Sequence, residues 1–443
     1  MTILNESGIP DVLPPLHAVS NLARRLGDVL VVVAGTQAEA HLVQCLPVAP
    51  SPNLPPSRHD PRVVFAILDP EDTAPQGLLA SRIVESAAGM RNVSLVLLVA
   101  ARPAEALAVD AAFEARLASR KLDLPVEVVD PEAPHEIPGS LSTDLDDRVV
   151  RALVDLCPKR RTSDLVETAS APKRGGLFGV LLGRGREAPE PGVGRPVVLL
   201  GGTLSSDAAQ GLAAELSRAG VEVAGAVPAD EVSDLPPLGE GTVVAVMDPN
   251  LTAAAAAAER RGATVVRTLM PVGVDGTARF VQDVSEEAGS RTSEVVRARS
   301  AWEDLGALRN RIRGKRVFFA GDTGFEIPLA RFLADAGAVV LEVGAPRLDR
   351  RFLAAELQAL GPDVDVVVSP DYRGQANRID EARPDVVVCS PGLHLPLVAR
   401  GHLCRPTQDF LRAGLYGYGG ARRILELLAR TLRRAETLDS LNL

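Results

Sequence analysis

A chain of 443 residues is longer than one ordinary hydrophobic core supports, so roughly three domains of about 150 residues are expected. A net charge of -9 and a pI near 5.4 argue against a nucleic-acid partner, which needs a basic face, and no Arg cluster is long or interleaved with aromatics. No run of about 18 apolar residues occurs, and the start MTILNESGIPDVLPP lacks the basic-then-apolar order of a signal peptide, so a soluble cytoplasmic protein without a membrane span is expected.

The first strong element is VVVAGTQAEAHLVQ, Val31 to Gln44. Its apolar residues run without polar alternation, as in a strand buried on both faces, and the Gly35-Thr36 turn leads into a helical pattern with Ala38, Leu42 and Cys45 on one side. Such a turn lies at the carboxyl end of its strand, where open α/β sheets bind ligands. The pattern then recurs. Strands are predicted at Val29–Val33, Val63–Leu68, Leu95–Val99, Val126–Val129, Val197–Leu200, Val221–Ala224, Thr242–Val246, Thr264–Arg267, Arg316–Ala320, Val339–Val343, Val364–Val368 and Asp385–Cys389. Helices of about 10 to 15 residues separate most of them, which predicts parallel sheets with helices on both faces.

Two boundaries interrupt this alternation. SAPKRGGLFGVLLGRGREAPEPGVGRP, Ser170 to Pro196, is too rich in Gly, Pro and Arg to support a periodic element and reads as a linker; its glycines lack a terminal GK[ST] and make no Walker loop. A long charged helix is predicted from about Arg291 to Arg313. The expected organisation is α/β, with three Rossmann-like doubly wound parallel-sheet domains: residues 1–169, a linker at 170–196, then 197–312 and 313–443.

Four cysteines, Cys45, Cys157, Cys389 and Cys404, are scattered without CxxC spacing, which disfavours a disulfide framework or a self-contained metal site. Cys389 ends the apolar run DVVVC and Cys45 follows a helical face, as buried small hydrophobes do. Glu326 and Pro328 open a helix after the turn Gly321-Asp322-Thr323-Gly324, with Glu326 suited to the positive helix end. His394 and His402 are expected on the same side of the third domain as Asp322. His17, Glu39 and His41 are the residues a zinc or ferrous site would use if their turns converge, but their spacing assigns no metal site.

Ordered blocks carry a resemblance beyond α/β patterning. Asp322, Glu326, Ile327, Pro328, Leu329, Ala330, Arg331 and Phe332 form one, and Pro384, Asp385, Val388, Cys389, Gly392, Pro396, Leu397, Gly401 and His402 form another. PVGVDGT, Pro271 to Thr277, looks like a Pro-x-Gly-x-x-Gly-Thr turn, and AGTQAEAHLVQ looks like a Gly-Thr-x-x-Cys-Ala-His strand-turn-helix. Together they resemble the nitrogenase component 1-like family, in the branch that reduces chlorophyll precursors without light. The resemblance is strongest over the last 130 or so residues.

The resemblance implies a three-domain fold and an ATP-driven two-electron reduction of a ring double bond in a tetrapyrrole chlorophyll precursor. It implies an N-type chain paired with a B-like subunit in a heterodimer or heterotetramer, fed electrons by a separate iron-sulfur ATPase reductase that carries the ATP. It also implies a [4Fe-4S] cluster held mostly by cysteines at three turns of the first domain, and a cluster of that kind takes thiolate or comparable anionic ligands. At those positions this chain has Glu39, Arg102, and Pro14 or Pro15. Glu39 is thus the candidate cofactor position and the ligand cysteines are absent. Other readings of the same residues are a cluster-free paralogue that binds a tetrapyrrole or scaffolds a pigment enzyme, a subunit of the sister reductase acting on chlorophyllide, and an unrelated Rossmann-repeat protein.

Overall fold

The computed structural model describes residues 2–6, 8, 26–37, 62–68, 76–100, 109–129, 144–160 and 194–440. In chain order its strands are β1 (Ile3–Asn5), β2 (Val29–Gly35), β3 (Val63–Ile67), β4 (Leu95–Ala100), β5 (Val126–Val129), β6 (Lys159–Arg160), β7 (Val197–Leu200) and β8 (Val223–Val227). They continue as β9 (Leu238–Gly239), β10 (Val243–Val246), β11 (Thr264–Val266), β12 (Arg316–Ala320), β13 (Val339–Ala345), β14 (Asp365–Val368), β15 (Val386–Cys389) and β16 (Cys404–Pro406). Three parallel sheets result, in the orders β3-β2-β4-β5, β11-β10-β7-β8 and β1-β14-β13-β12-β15-β16. Every residue of β2, β4, β7, β10 and β15 is buried, because helices cover both faces; this is the physical source of the uninterrupted Val and Leu runs.

The strands not expected from the sequence, β1, β6, β9 and β16, are two or three residues long, too short for a periodic signal. Two of them tie distant segments together. Strand β1 joins the edge of the third sheet, pairing Ile3 with Val366 and Asn5 with Val368. Glu6 anchors it by an ion pair to Arg378 at 2.8 Å and by accepting the Asp371 N–H at 2.7 Å. Strand β6 pairs with β9, fastening the segment that ends at Arg160 to the second sheet's region.

The predicted 291–313 helix is two helices, Val295–Asp304 and Gly306–Ile312, which share Leu305 as their cap residue. Gly306, a poor helix former, stands at the break. The last helix, Gly417–Ser440, returns from the third sheet to pack on helices Gly273–Glu287 and Gly306–Ile312. No helix among the described residues is long and apolar enough to cross a membrane.

Candidate functional site at the sheet switch points

In each sheet the strand order reverses beside a central strand, and the turns leaving the two strands at that point form the crevice where open α/β folds bind ligands. In the first sheet the reversal lies between β2 and β4, so the relevant turns begin at Thr36 and after Ala100. Glu39, Arg102, Pro14, Pro15, His17, His41 and Cys45 all lie outside the described residues. The second sheet reverses between β7 and β10, placing Gly201 to Thr203 beside Met247 and Asp248. In the third, between β12 and β15, the turns are Gly321 to Gly324 and Ser390.

The second and third switch points meet in a polar seam. Asn250 N–H donates to Asp248 Oδ1 at 3.0 Å, and Asn250 Nδ2 donates to the Thr323 carbonyl at 3.3 Å. Thr323 in turn donates its N–H and its Oγ1 hydroxyl to Glu326 Oε1, at 2.9 and 2.8 Å. Thr203 Oγ1 and Tyr416 Oη share a hydrogen bond of 2.7 Å, and Tyr416 meets Phe325 edge-on with ring centroids 6.2 Å apart. Beside them, Asp147 accepts the Ala253 N–H at 2.6 Å, the Ala254 N–H at 2.8 Å and the Thr252 hydroxyl at 3.0 Å, while Arg347 Nη2 donates to Thr252 Oγ1 at 3.3 Å.

Burial raises the carboxyl pKa of Asp147, Asp248 and Glu326, in each case against hydrogen bonds that favour the charged form; Asp248 is pushed up to about 7. A carboxyl whose folded pKa lies above its unfolded value binds its proton more tightly in the native state. Its contribution is complete below the unfolded pKa and is lost as pH rises through the folded one. Wild-type stability therefore falls between about pH 4 and pH 7 on account of Asp248. Asp248→Asn is expected to flatten that fall, as read by denaturation midpoints at pH 5 and pH 8; an unchanged pH slope would remove Asp248 from the seam's titration.

Helix N-termini near these turns are filled by the chain's own carboxylates. Asp147 caps helix Thr252–Arg260, and Glu114 accepts the Gly77 and Ala80 N–H groups, at 2.6 and 2.7 Å, at the start of helix Leu78–Ala88. Glu326 instead turns back from its own helix Glu326–Asp335 to accept the Thr323 N–H and hydroxyl in the turn before it, and it caps no N–H of that helix. A phosphate binds a helix start through free N–H groups, and at the starts of Thr252–Arg260 and Leu78–Ala88 carboxylates already take them.

Two of the blocks that carried the resemblance, PVGVDGT and EIPLARF, meet at a joint between the second and third sheets. Arg331 and Glu356, 1% and 0% exposed, pair at 2.6 Å. Glu356 Oε1 accepts the Met270 N–H at 2.7 Å and Arg331 Nη2 donates to the Val272 carbonyl at 2.7 Å, so helix Glu326–Asp335 grips the start of PVGVDGT. The other side of that turn bonds to the last helix through Gly417 N–H and the Pro271 carbonyl, 2.8 Å, and through the antiparallel bridge of Val272 to Tyr416. His402 does not join Asp322. It precedes β16 at the amino edge of the sheet and bonds Asp380 at 2.6 Å, whereas Asp322 follows β12 at the carboxyl edge.

The described cysteines do not supply a cluster. Burial pushes the Cys157 thiol up to about 12, and its Sγ donates to the Leu153 carbonyl at 3.4 Å. Cys389 and Cys404 share a thiol–thiol hydrogen bond across β15 and β16, which raises the pKa of Cys389, with burial adding to it, and lowers that of Cys404. No group of three or more His, Cys, Asp or Glu among the described residues is placed to hold a metal. The described cysteines, Cys157, Cys389 and Cys404, are buried and do not make up the cysteine set such a cluster takes.

Sequence reading missed Asp147, Asp248, Asn250 and Arg347. For Asp248, Asn250 and Arg347 the signal was position just past a buried strand, and Asp147, within helix Asp144–Leu156, carried none.

Comparison with known proteins accounts for this architecture. The sequence model of the family described as nitrogenase component 1 type oxidoreductase matches residues 146–433. The chain is 32% identical to light-independent protochlorophyllide reductase subunit N of Roseiflexus sp. (strain RS-1), over 99% of this chain and 96% of the relative. It is 30% identical to the subunit N of Heliobacterium modesticaldum, over 98% and 97%. The solved structure described as nitrogenase Cp1 at pH 6.5 superposes with a TM-score of 0.67 at 13% identity, covering 98% of this chain and 93% of that one, which shows the shared fold. The chain belongs to the nitrogenase component 1 type oxidoreductase family, and the relatives that match it end to end are subunits N of light-independent protochlorophyllide reductase.

Proposed function

We propose that this chain is the N-type subunit of a light-independent reductase that reduces a ring double bond of a tetrapyrrole chlorophyll precursor. The observation that carries the reading is the end-to-end match to subunits N, at 32% identity over 99% of the chain. In this reading the chain works in a complex with a B-like subunit and takes electrons from a separate iron-sulfur ATPase. The helix starts closed by Glu114 and Asp147 support placing ATP on that partner, because they leave no free N–H cradle for its phosphates at those positions.

The contribution of this chain's own residues is to hold the sheets in register and to bring the switch-point turns of the second and third together. Asn250 and Thr323 couple two of those turns, and burial raises the carboxyl pKa of Glu326 and Asp248 beside them. The family implies an iron-sulfur centre, but Glu39, Arg102 and proline stand at its cysteine positions in this chain, so the thiolates would have to come from the partner. That substitution favours a second reading, a cluster-free paralogue that retains the fold and the partner.

Anaerobic co-expression with a B-like subunit separates the two. A stoichiometric complex with bound iron and sulfide and a reducible visible absorption is the expected result. A stoichiometric complex without iron selects the paralogue, and failure to form any complex overturns the N-type reading.

A further inference from the structure

Where helices Gly273–Glu287, Gly306–Ile312, Glu326–Asp335 and Arg350–Leu360 come together, Asp275, Asp335 and Glu356 gather around Arg331 and Arg309. Arg331 is the hub. Its Nε donates to Glu356 Oε2 at 2.6 Å and its Nη1 to Asp335 Oδ2 at 3.1 Å, while Nη2 is taken by the Val272 carbonyl at 2.7 Å. Arg309 bonds the Asp335 backbone carbonyl at 3.3 Å, not the carboxylate, and lies over the ring of Trp302, 4.7 Å from its centroid. Trp302, the protein's single tryptophan, ties the two sides together: Nε1 donates to both oxygens of Asp275 at 3.1 and 3.2 Å, and the ring stacks on Phe332 at 5.9 Å, one turn before Asp335.

The three acids are not equally supported. Glu356 accepts from Arg331 and from the Met270 N–H at 2.7 Å, and Asp275 accepts from the indole on both oxygens. The Asp335 carboxylate has the Arg331 bond alone among the described residues, and its side chain is 26% exposed, so protons reach it from solvent. Burial pushes its carboxyl up to about 6 against the pull of Arg331, and the charges of Asp275 and Glu356 add to the rise. The remaining charges on the elements around it are engaged elsewhere or face water. Glu342 and Arg316, on the strands beneath the helix, bond Arg378 and the Arg383 carbonyl; Arg313 lies against Gly337 in the turn beyond, and Glu303 is exposed. Because the folded carboxyl titrates above its unfolded value, its contribution to stability is complete below about pH 4 and is lost as pH rises through about 6.

We propose that this cluster is an acid-closed latch on the joint between the second and third sheets. Protonated, Asp335 lets helix Glu326–Asp335 close on helix Gly273–Glu287 around Trp302; ionised, it sets a second negative charge beside Asp275 and loosens that contact. The same helix begins at the seam, where Glu326 accepts the Thr323 hydroxyl, so latch and seam occupy opposite ends of one element. The latch does not depend on the reaction proposed above, since none of its residues belongs to the switch-point turns.

The single tryptophan makes the test local. Trp302 emission in the full chain, followed between about pH 4.5 and pH 8, is expected to titrate with a midpoint of about 6, and acrylamide should quench it more strongly above that midpoint than below. Asp335→Asn copies the neutral acid and should hold emission and quenching at their acid values across the whole range. Asp275→Asn keeps an oxygen for the indole N–H but removes the like charge, so it should move the midpoint to lower pH. A flat wild-type profile, a titration that survives Asp335→Asn, a midpoint unmoved or raised in Asp275→Asn, or quenching independent of pH would each overturn the latch.

Discussion

Arg331→Met is expected to destabilise the joint between the second and third sheets by about 3–5 kcal/mol, because it leaves Glu356 charged, fully buried and without its counter-ion. The Val272 carbonyl loses its guanidinium donor in the same step, while the Met270 N–H keeps Glu356 as acceptor. Trp302 emission reports the event locally, since the indole stacks on Phe332 of the same helix, so the denaturation midpoint followed at Trp302 is the quantity to measure. Adding Glu356→Gln to Arg331→Met should recover a good part of the loss, because a neutral amide tolerates burial where an unpaired carboxylate does not. A single-variant loss below about 1 kcal/mol would mean that the pair contributes no more than a surface one, contrary to its burial.

Gly273→Ala is the second large effect. Gly273 sits at φ 78° and a Cβ there would fall inside the Phe332 side chain, so two costs add. The left-handed backbone costs a side-chain-bearing residue roughly 1–2 kcal/mol, and forcing Phe332 aside costs about 1–3 kcal/mol more. Phe332→Leu in the same chain should relieve the second cost only. Partial recovery of the midpoint is therefore the expected outcome, and either complete rescue or none would contradict this division. Gly276 obeys the same packing constraint without the backbone one, since a Cβ there would meet the Arg331 guanidinium and the Met270 carbonyl. The two glycines of PVGVDGT are explained by close approach of helix Glu326–Asp335, and no ligand need be invoked for them.

Much of the fold was legible in the residues. Val29–Gly35, Leu95–Ala100, Val197–Leu200 and Val386–Cys389 are buried on both faces, and that burial writes itself into the sequence as uninterrupted β-branched and Leu runs. The helices between them announce their starts through local caps, such as Ser205, Asp371 and Ser390, each accepting an N–H two or three positions into its helix. These signals are local, and local signals need no knowledge of partners. The motif blocks were equally visible, and they led correctly to the nitrogenase component 1 family.

What those motifs do was not legible. PVGVDGT and EIPLARF lie about 50 residues apart in sequence and reveal their roles only when Arg331, paired with Glu356, reaches the Val272 carbonyl beside the second sheet. The same limit hid the seam of Asp248, Asn250 and Thr323, the caps that Asp147 and Glu114 supply to helices remote in sequence, and the return of Ile3–Asn5 to the edge of the third sheet. A carboxylate in an amphipathic helix looks the same in sequence whether it faces water or another helix's N-terminus. The sequence by itself determined the long buried strands, most of the helices and the family, because each of these is carried by neighbouring residues. The tertiary structure alone decided which charges are buried together and which helix starts are closed, because those depend on contacts between segments that no local pattern encodes.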